Sequence, residues 1–285
     1  NTYVSLDGAS DKGSYRFSYT NTANTYITPN TDLKRDNFGL RINQRIHPLL
    51  NVDASINYSV TKSKNPLFQG GNNSPLFQLV YFNPRNFDTK YWMENYLDSA
   101  GGLNRNNPYG MASLWFNQNY RNDLQTEKTL LANVDVTSNI TSWLNLLVRA
   151  NLNDRTTDFE SKMHGTGVNF AGGSYSISNT VGRNSRLQVL LNGNRSFGEN
   201  FEFNFGAGGE TQRYQPTKFT TISTTNGLKV PQQFTLGNSV GPLNSNGGVA
   251  SRSTKRLDAV YVYGDLTFKD MLTLNFSARN DWSST

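Results

Sequence analysis

The residues able to do chemistry in this 285-residue chain are few and poorly placed for it. The two histidines, His47 and His164, are far apart; one precedes a proline in a short turn and the other lies in a Gly-rich stretch. Neither has a carboxylate at regular spacing, so a histidine-based metal centre or catalytic triad is not expected. There is no cysteine, which excludes disulfides, iron–sulfur clusters and thiolate zinc sites. Gly173-Ser174 lacks the flanking glycine of a nucleophile elbow. Gly206-Ala207-Gly208-Gly209 sits inside a strand pattern and opens no helix, so it marks a bend or close strand contact rather than a phosphate loop. Asp154, Asp158 and Glu160 are the densest carboxylates; a cation or a glycosidase pair could use them, but a solvated strand end accounts for them better. The expectation is a chain that is not an enzyme and carries no cofactor or metal.

What remains are residues that bind. Between Ser63 and Thr126 lies a dense set of rings, among them Tyr81, Trp92, Tyr96, Tyr109 and Trp115. Flat rings suit sugar faces and protein partners alike, although some must pack the segment's own small core. A second set is arginine: Arg16, Arg41, Arg45, Arg149, Arg186 and Arg279 all fall on the polar side of alternating segments. They are placed to contact polar solutes or a plug, or simply to hydrate and cross-link that side.

The elements that must position these groups are strands. In Leu50–Thr61 every even position is apolar (Leu50, Val52, Ala54, Ile56, Tyr58, Val60) and every odd position polar. Successive strand side chains point to opposite faces, so this is one strand with an oily face and a wet one. It is longer than the five or six residues common in soluble proteins, and matches the roughly 9–11 of a tilted strand crossing a bilayer. The same reading predicts ten strands: Thr2–Gly8, Ser14–Asn21, Asn37–Ile46, Leu50–Thr61, Lys128–Ser138, Leu144–Arg155, Asn184–Ser196, Phe201–Arg213, Arg256–Phe268 and Met271–Trp282. Leu147 breaks the alternation, and Ile140, Trp143, Leu144 and Leu147 would also fit a helical face. A short helix is expected to start at Ser74-Pro75.

Connections alternate short and long: 9–13, 46–49, 139–143, 197–200 and 269–270 are short, whereas 22–36, 63–126, 156–182 and 214–254 are long. An outer-membrane barrel has short periplasmic turns and long extracellular loops. On that rule Ala9, Pro48, Ile140, Gly198 and Asp270 face the periplasm, and the loops around Asn30, Trp92, Thr166 and Asn238 face outside. Composition agrees: only 35% of residues are hydrophobic yet 12% are aromatic, too polar for a large oily core but suited to a barrel with a wet interior. Trp143, Phe201, Phe268 and Trp282 stand near strand ends, where an interfacial aromatic girdle would lie. The net charge of +6 is scattered, so nucleic acid is not an expected partner. No apolar run approaches the ~18 residues of a membrane helix. The chain opens with Asn and reads as starting and stopping at strands, so it is expected to be an internal piece of a longer protein.

Four blocks carry a family resemblance: Asn1–Thr22, Leu33–Asn43, Trp143–Asn153 and Tyr263–Thr285 resemble the barrel of SusC/RagA-like TonB-dependent transporters of Bacteroidetes. The first holds a serine-glycine turn and a Tyr-x-x-Ser strand, and the last an Arg-Asn-Asp strand end. The chain departs from the family at Asp7-Gly8-Ala9, where a second Gly is usual, and at Asn24-Thr25, where Gly often follows. The resemblance implies an all-β transmembrane antiparallel up-and-down barrel, 22-stranded in the family, of which residues 1–285 form about ten strands of one domain, without the plug or TonB box. It further implies an active importer of oligosaccharides or peptides. A SusD-like surface lipoprotein would lid the barrel, TonB would energise it, and transporter–lipoprotein pairs could dimerise. The alternatives are a siderophore or cobalamin receptor, a passive porin and, from a different class, a soluble β-sandwich adhesin.

Overall fold

The computed structural model describes residues 1–66, 81, 84–106, 110–245 and 254–284, with side chains of 216–220 left aside. All ten expected strands form: β1 (Thr2–Ser10), β2 (Gly13–Thr25), β3 (Asp32–His47), β4 (Leu50–Lys64), β5 (Arg121–Asn139), β6 (Leu144–Met163), β7 (Ser174–Phe197), β8 (Phe201–Ser223), β9 (Lys255–Phe268) and β10 (Leu272–Ser284). They make one antiparallel sheet in sequence order, each strand paired with its neighbours in the chain. A two-sheet sandwich is thereby overturned. Residues 144–147 are strand, with Leu147 on the polar face between Thr137 and Leu190.

The outer ends run further than the alternation predicted, most of all in β5 to β8. On β6 the extension carries Asp154, Thr156, Asp158 and Glu160 on one face and Arg155, Thr157, Phe159 and Ser161 on the other. Polar residues on both faces leave no period-two signal, yet the backbone ladder continues. The loops shrink to match, that after β6 to residues 164–173. Among the described residues of the long segment stand the helices α1 (Thr89–Glu94) and α2 (Met111–Tyr120). The helix expected at Ser74-Pro75 lies outside the described residues.

The register defines the sheet's two faces. Leu6, Phe17, Leu40, Ile56, Ala132 and Leu152 face one another across six strands, and the next row holds Tyr15, Ile42, Ala54, Val134, Ala150 and Leu187. This apolar face is uncovered: Leu6 is 63% exposed and Leu272 67%. An apolar surface spanning ten strands requires an apolar surrounding. Most buried hydrophobic side chains among the described residues belong instead to α2: Met111, Ala112, Leu114, Trp115 and Phe116.

The apolar band does not stay in one hydrogen-bonded row. It is centred between Val4 and Leu6 on β1, near Val148 on β6, and between Leu274 and Phe276 on β10. Followed through the registers, the centre slides about ten residues over nine strand steps; at about 3.3 Å rise per residue and 4.8 Å between strands, the strands tilt by about 37° from the band normal. Barrel strands tilt roughly 35–45°.

Glycines allow close cross-strand packing on both faces. A Cβ on Gly206 would overlap the Tyr263 ring, and one on Gly193 the Phe205 ring. The Gly206–Gly209 run thus serves strand contact.

Because the chain lacks cysteine, single-cysteine variants along β6 report its faces directly. Residues 146, 148, 150 and 152 should react with apolar reagents and 145, 149, 151 and 153 with water-soluble ones, while beyond Asp154 both parities should label from water. Alternation persisting to residue 162 would contradict the assigned band edge.

Candidate functional site

The polar face is held by ion pairs between strands, most of them adjacent and one reaching across β9. Arg41 on β3 donates from Nη2 to Asp53 on β4 at 2.9 Å, and Arg149 on β6 grips Asp135 on β5 through Nε and Nη2, the latter at 2.7 Å. Glu210 on β8 accepts from Arg186 on β7 and, at 2.8 Å, from Arg279 on β10. Arg279 also binds Asp281, and its guanidinium lies 5.3 Å from the centre of the Tyr261 ring. Arg16 stands opposite Arg41 but donates to the Tyr3 hydroxyl at 2.6 Å. The arginines singled out from sequence therefore sit on one face, most with an assigned acceptor. Asparagines fill the rows between: Asn151 to Asn133 at 2.7 Å and Asn133 to Ser55 at 3.3 Å. Such a surface offers many half-exposed donors and carbonyl acceptors and no nucleophile poised beside a base.

Above the sheet the long loops join into one cap. α1 starts at Asp88, whose carboxylate accepts from the Tyr91 amide at 2.9 Å. α2 follows Gly110, whose positive φ turns the chain into the helix. Met111, Leu114 and Trp115 of α2 pack with Phe87, Trp92 and Tyr96. Gln118 of α2 donates to the Pro29 carbonyl, and the Asn30 side chain to the Gln118 carbonyl at 3.3 Å, tying in the first loop. Asp123, fully buried at the start of β5, accepts from Arg121 at 2.6 Å and from Ser161.

His164 joins three loops. Its ring lies 5.1 Å from Tyr120, 5.3 Å from Phe170 and 5.1 Å from Phe234, and its amide donates to the Tyr120 carbonyl at 3.2 Å. Burial among these rings lowers the imidazole pKa, because it disfavours the charged form. It is thus a packing residue rather than a ligand.

The loop aromatics divide. Tyr81 is 72% exposed, whereas Trp92 and Tyr96 are half-buried against the cap core. Trp115 is only 9% exposed and presents no ring for contact, a correction to its candidacy that follows from α2 burying almost every side. Tyr109 lies outside the described residues. Tyr91, another of the segment's rings, is exposed on α1, and exposed Met93 of the same helix was missed; the Asp88 cap was the available signal. Trp143, Phe201 and Phe268 stand at the short-turn end, the last two with ring centres 4.9 Å apart, and Trp282 stands at the other end opposite Asp258. The carboxylates of β6 do not converge: Asp154 pairs with Arg183, Asp158 accepts from Asn179 at 2.6 Å, and Glu160 from Tyr175 at 2.9 Å. Among the described residues no group of His, Asp or Glu is arranged to hold a metal.

With this geometry in place, comparison with solved structures identifies the architecture. The structure of the RagAB peptide transporter superposes with a TM-score of 0.71 at 18% identity, covering 99% of this chain and 31% of that one. BauA, the ferric preacinetobactin receptor from Acinetobacter baumannii, gives 0.53 at 12% identity, covering 99% and 39%. The siderophore receptor PiuA from the same organism gives 0.53 at 11%, covering 99% and 44%. The chain spans about a third of the length of the first of these. No protein-family model and no curated protein matches it. The class is therefore set at the level of fold: a stretch of transmembrane antiparallel β-barrel wall, with its apolar face toward lipid and its polar face toward the lumen.

Two outcomes test the site. Glu210→Ala leaves Arg186 and Arg279 facing each other, and should cost about 1 kcal/mol of barrel stability, measured by urea unfolding in micelles. A neutral His164 stabilises the cap fully above about pH 6.5, its ordinary value; that contribution should be lost as pH falls through the depressed folded pKa. Amide protection in α2 and residues 164–173, taken relative to the intrinsic exchange rate at each pH, should fall on acidification in the wild type, and not in His164→Phe.

Proposed function

We infer that this chain is part of the wall of an outer-membrane TonB-dependent importer whose cargo is peptides, with oligosaccharides as the second substrate class. The observation that carries the reading is the superposition over 99% of the chain on a solved peptide transporter at a TM-score of 0.71, against 0.53 for the ferric preacinetobactin receptor. The SusC/RagA-like sequence blocks support the same choice. Physical dimensions agree with a membrane location: the apolar residues Leu144 to Leu152 of β6 cover about 26 Å along the strand and, at the tilt above, about 21 Å across the band, near the ~25 Å of barrel apolar belts. Trp143, Phe201 and Phe268 then lie at the periplasmic interface and Trp282 at the outer one.

In this reading residues 1–285 belong to one barrel domain, and a plug elsewhere in the protein closes the lumen. TonB reaches the transporter through that plug. Arg41, Arg149 and Arg279 line the lumen, where their remaining donors suit peptide carbonyls and carboxylates. The joined outer cap gives a firm platform for a SusD-like lipoprotein, and exposed Tyr81 and half-exposed Trp92 and Tyr96 supply rings for that partner or for cargo. The transporter–lipoprotein pair assembles as a dimer. Chemistry is not part of the role: the chain moves solutes rather than transforming them. Siderophore uptake is the second reading, resting on the lower-scoring superpositions.

The test is a detergent pull-down of the native protein from fractionated membranes, joined to uptake of labelled peptide mixtures. A surface lipoprotein should co-purify, and peptide uptake should collapse when the inner-membrane proton gradient is discharged. Tyr81→Ala should weaken partner or cargo affinity by about tenfold, the scale of an exposed aromatic anchor. Recovery from the aqueous fraction without a partner, or uptake of ferric chelates but not peptides, would overturn the proposal.

A further inference from the structure

Two pairs of like charges face each other directly across the sheet, and both sit just above the apolar band on its lipid side. Lys34 of β3 is opposite Lys62 of β4. Arg213 of β8 is opposite Arg256 of β9. Like charges directly opposite on one face of a sheet repel and are destabilising. In the outward direction Lys34 stands two rows beyond Phe38, the last apolar residue of its strand face, and Lys62 one row beyond Val60. Arg213 is two rows beyond Gly209, and Arg256 two rows beyond Val260. In the hydrogen-bonded register the two pairs are three rows apart; the drift of the band brings them to a common height above the hydrocarbon edge. That coincidence ties them to the membrane plane rather than to the sheet.

The neighbouring charges leave each pair in cationic excess. Beside Lys34 and Lys62 stand Lys64 and Lys128 of the same face, against Asp32, opposite Lys64, and Asp36, whose carboxylate accepts from Tyr19 at 2.7 Å and Asn21 at 2.8 Å. Lys128 reaches Asp158 only at 4.0 Å. Beside Arg213 and Arg256 the near carboxylate is Asp258, which Arg256 contacts at 2.9 Å. Next along the sheet, Arg183 is already engaged by Asp154. Lys34, Lys62 and Lys128 are exposed, and half of the Arg256 side chain is.

Resting on the outer-membrane reading above, we propose that these two pairs are seats for phosphate groups of lipid headgroups in the outer leaflet. A phosphate between the paired cations turns cross-strand repulsion into two charge-assisted contacts. The adjoining apolar face simultaneously takes the acyl chains of the same lipid, which a free anion cannot exploit. The lipid-facing position excludes a lumenal substrate as the occupant, and no element among the described residues covers these cations.

The whole protein, purified in detergent and reconstituted into phosphatidylcholine bilayers containing a minor fraction of phosphatidylglycerol, tests this. After re-extraction, the ratio of phosphatidylglycerol to phosphatidylcholine retained is measured by lipid mass spectrometry. Wild type should be enriched in the anionic lipid. Lys34→Gln combined with Arg213→Gln should reduce that enrichment at least about fivefold, the scale of one basic group at an anionic surface. Each variant's fold is checked by its compact, heat-sensitive migration on gels; should the double variant misfold, Lys62→Gln alone serves with a proportionately smaller drop. Inorganic phosphate at matched concentration should leave the enrichment in place. Equal enrichment in wild type and folded variant, or full displacement by inorganic phosphate, overturns the lipid seats while the barrel still enters the bilayer. Failure of the wild type to insert removes the membrane reading and the seats together.

Discussion

Strands β2 to β9 satisfy their backbone sideways, against the strand before and the strand after, and β1 and β10 each do so against their one neighbour. That single constraint organises the rest. With N–H and C=O groups consumed in the sheet, side chains are free to make two unlike surfaces, and a period of two in the sequence becomes a two-sided wall. Because no core lies under the sheet among the described residues, its stability comes from the ladder, from cross-strand pairs and from whatever covers the apolar face. The exposed Leu6, Leu272 and Leu274 are therefore not defects but the surface on which lipid replaces a second layer.

The two faces use charge differently. On the polar side Arg41, Arg149 and Arg279 each meet a carboxylate, so a wall lined with cations carries little unbalanced repulsion. On the lipid side charges appear only where the apolar band stops. There Asp36, Asp154 and Asp258 stand one row outside the band together with Lys62 and Lys128, while Lys34, Arg183, Arg213 and Arg256 stand two rows outside. Long cationic side chains can reach from that height to headgroups without entering hydrocarbon.

Past the band the same strands continue into water as a polar sheet, and the loops gather into a cap with its own apolar centre. Trp115, Phe116 and Met111 there do what core residues do in a soluble domain, and His164 spans three loops through ring contacts and a backbone hydrogen bond to Tyr120. A lipid-supported wall and a water-supported cap thus coexist in one chain, separated at about the level of Leu152 on β6.

All ten strands, their faces and the alternation of short and long connections were legible from residues alone, since a period of two survives wherever one face meets lipid and the other water. Arg41, Arg149 and Arg279 share the polar face for the same reason. The outer extensions were not legible, because Asp154–Met163 is polar on both faces and only pairing with β5 and β7 makes it strand. Nor was α2, whose burial on nearly every side gives no one-faced stripe to read, so that Trp115 looked available when it is not. Sequence by itself determined which residues share a side of each strand, a local property of chain geometry. Only the tertiary structure decided which residues share a height, because that depends on register accumulated over many strands. Lys34 and Arg213 are far apart in the chain and three rows apart in the ladder, and it is the tilt of the wall that sets them at one level.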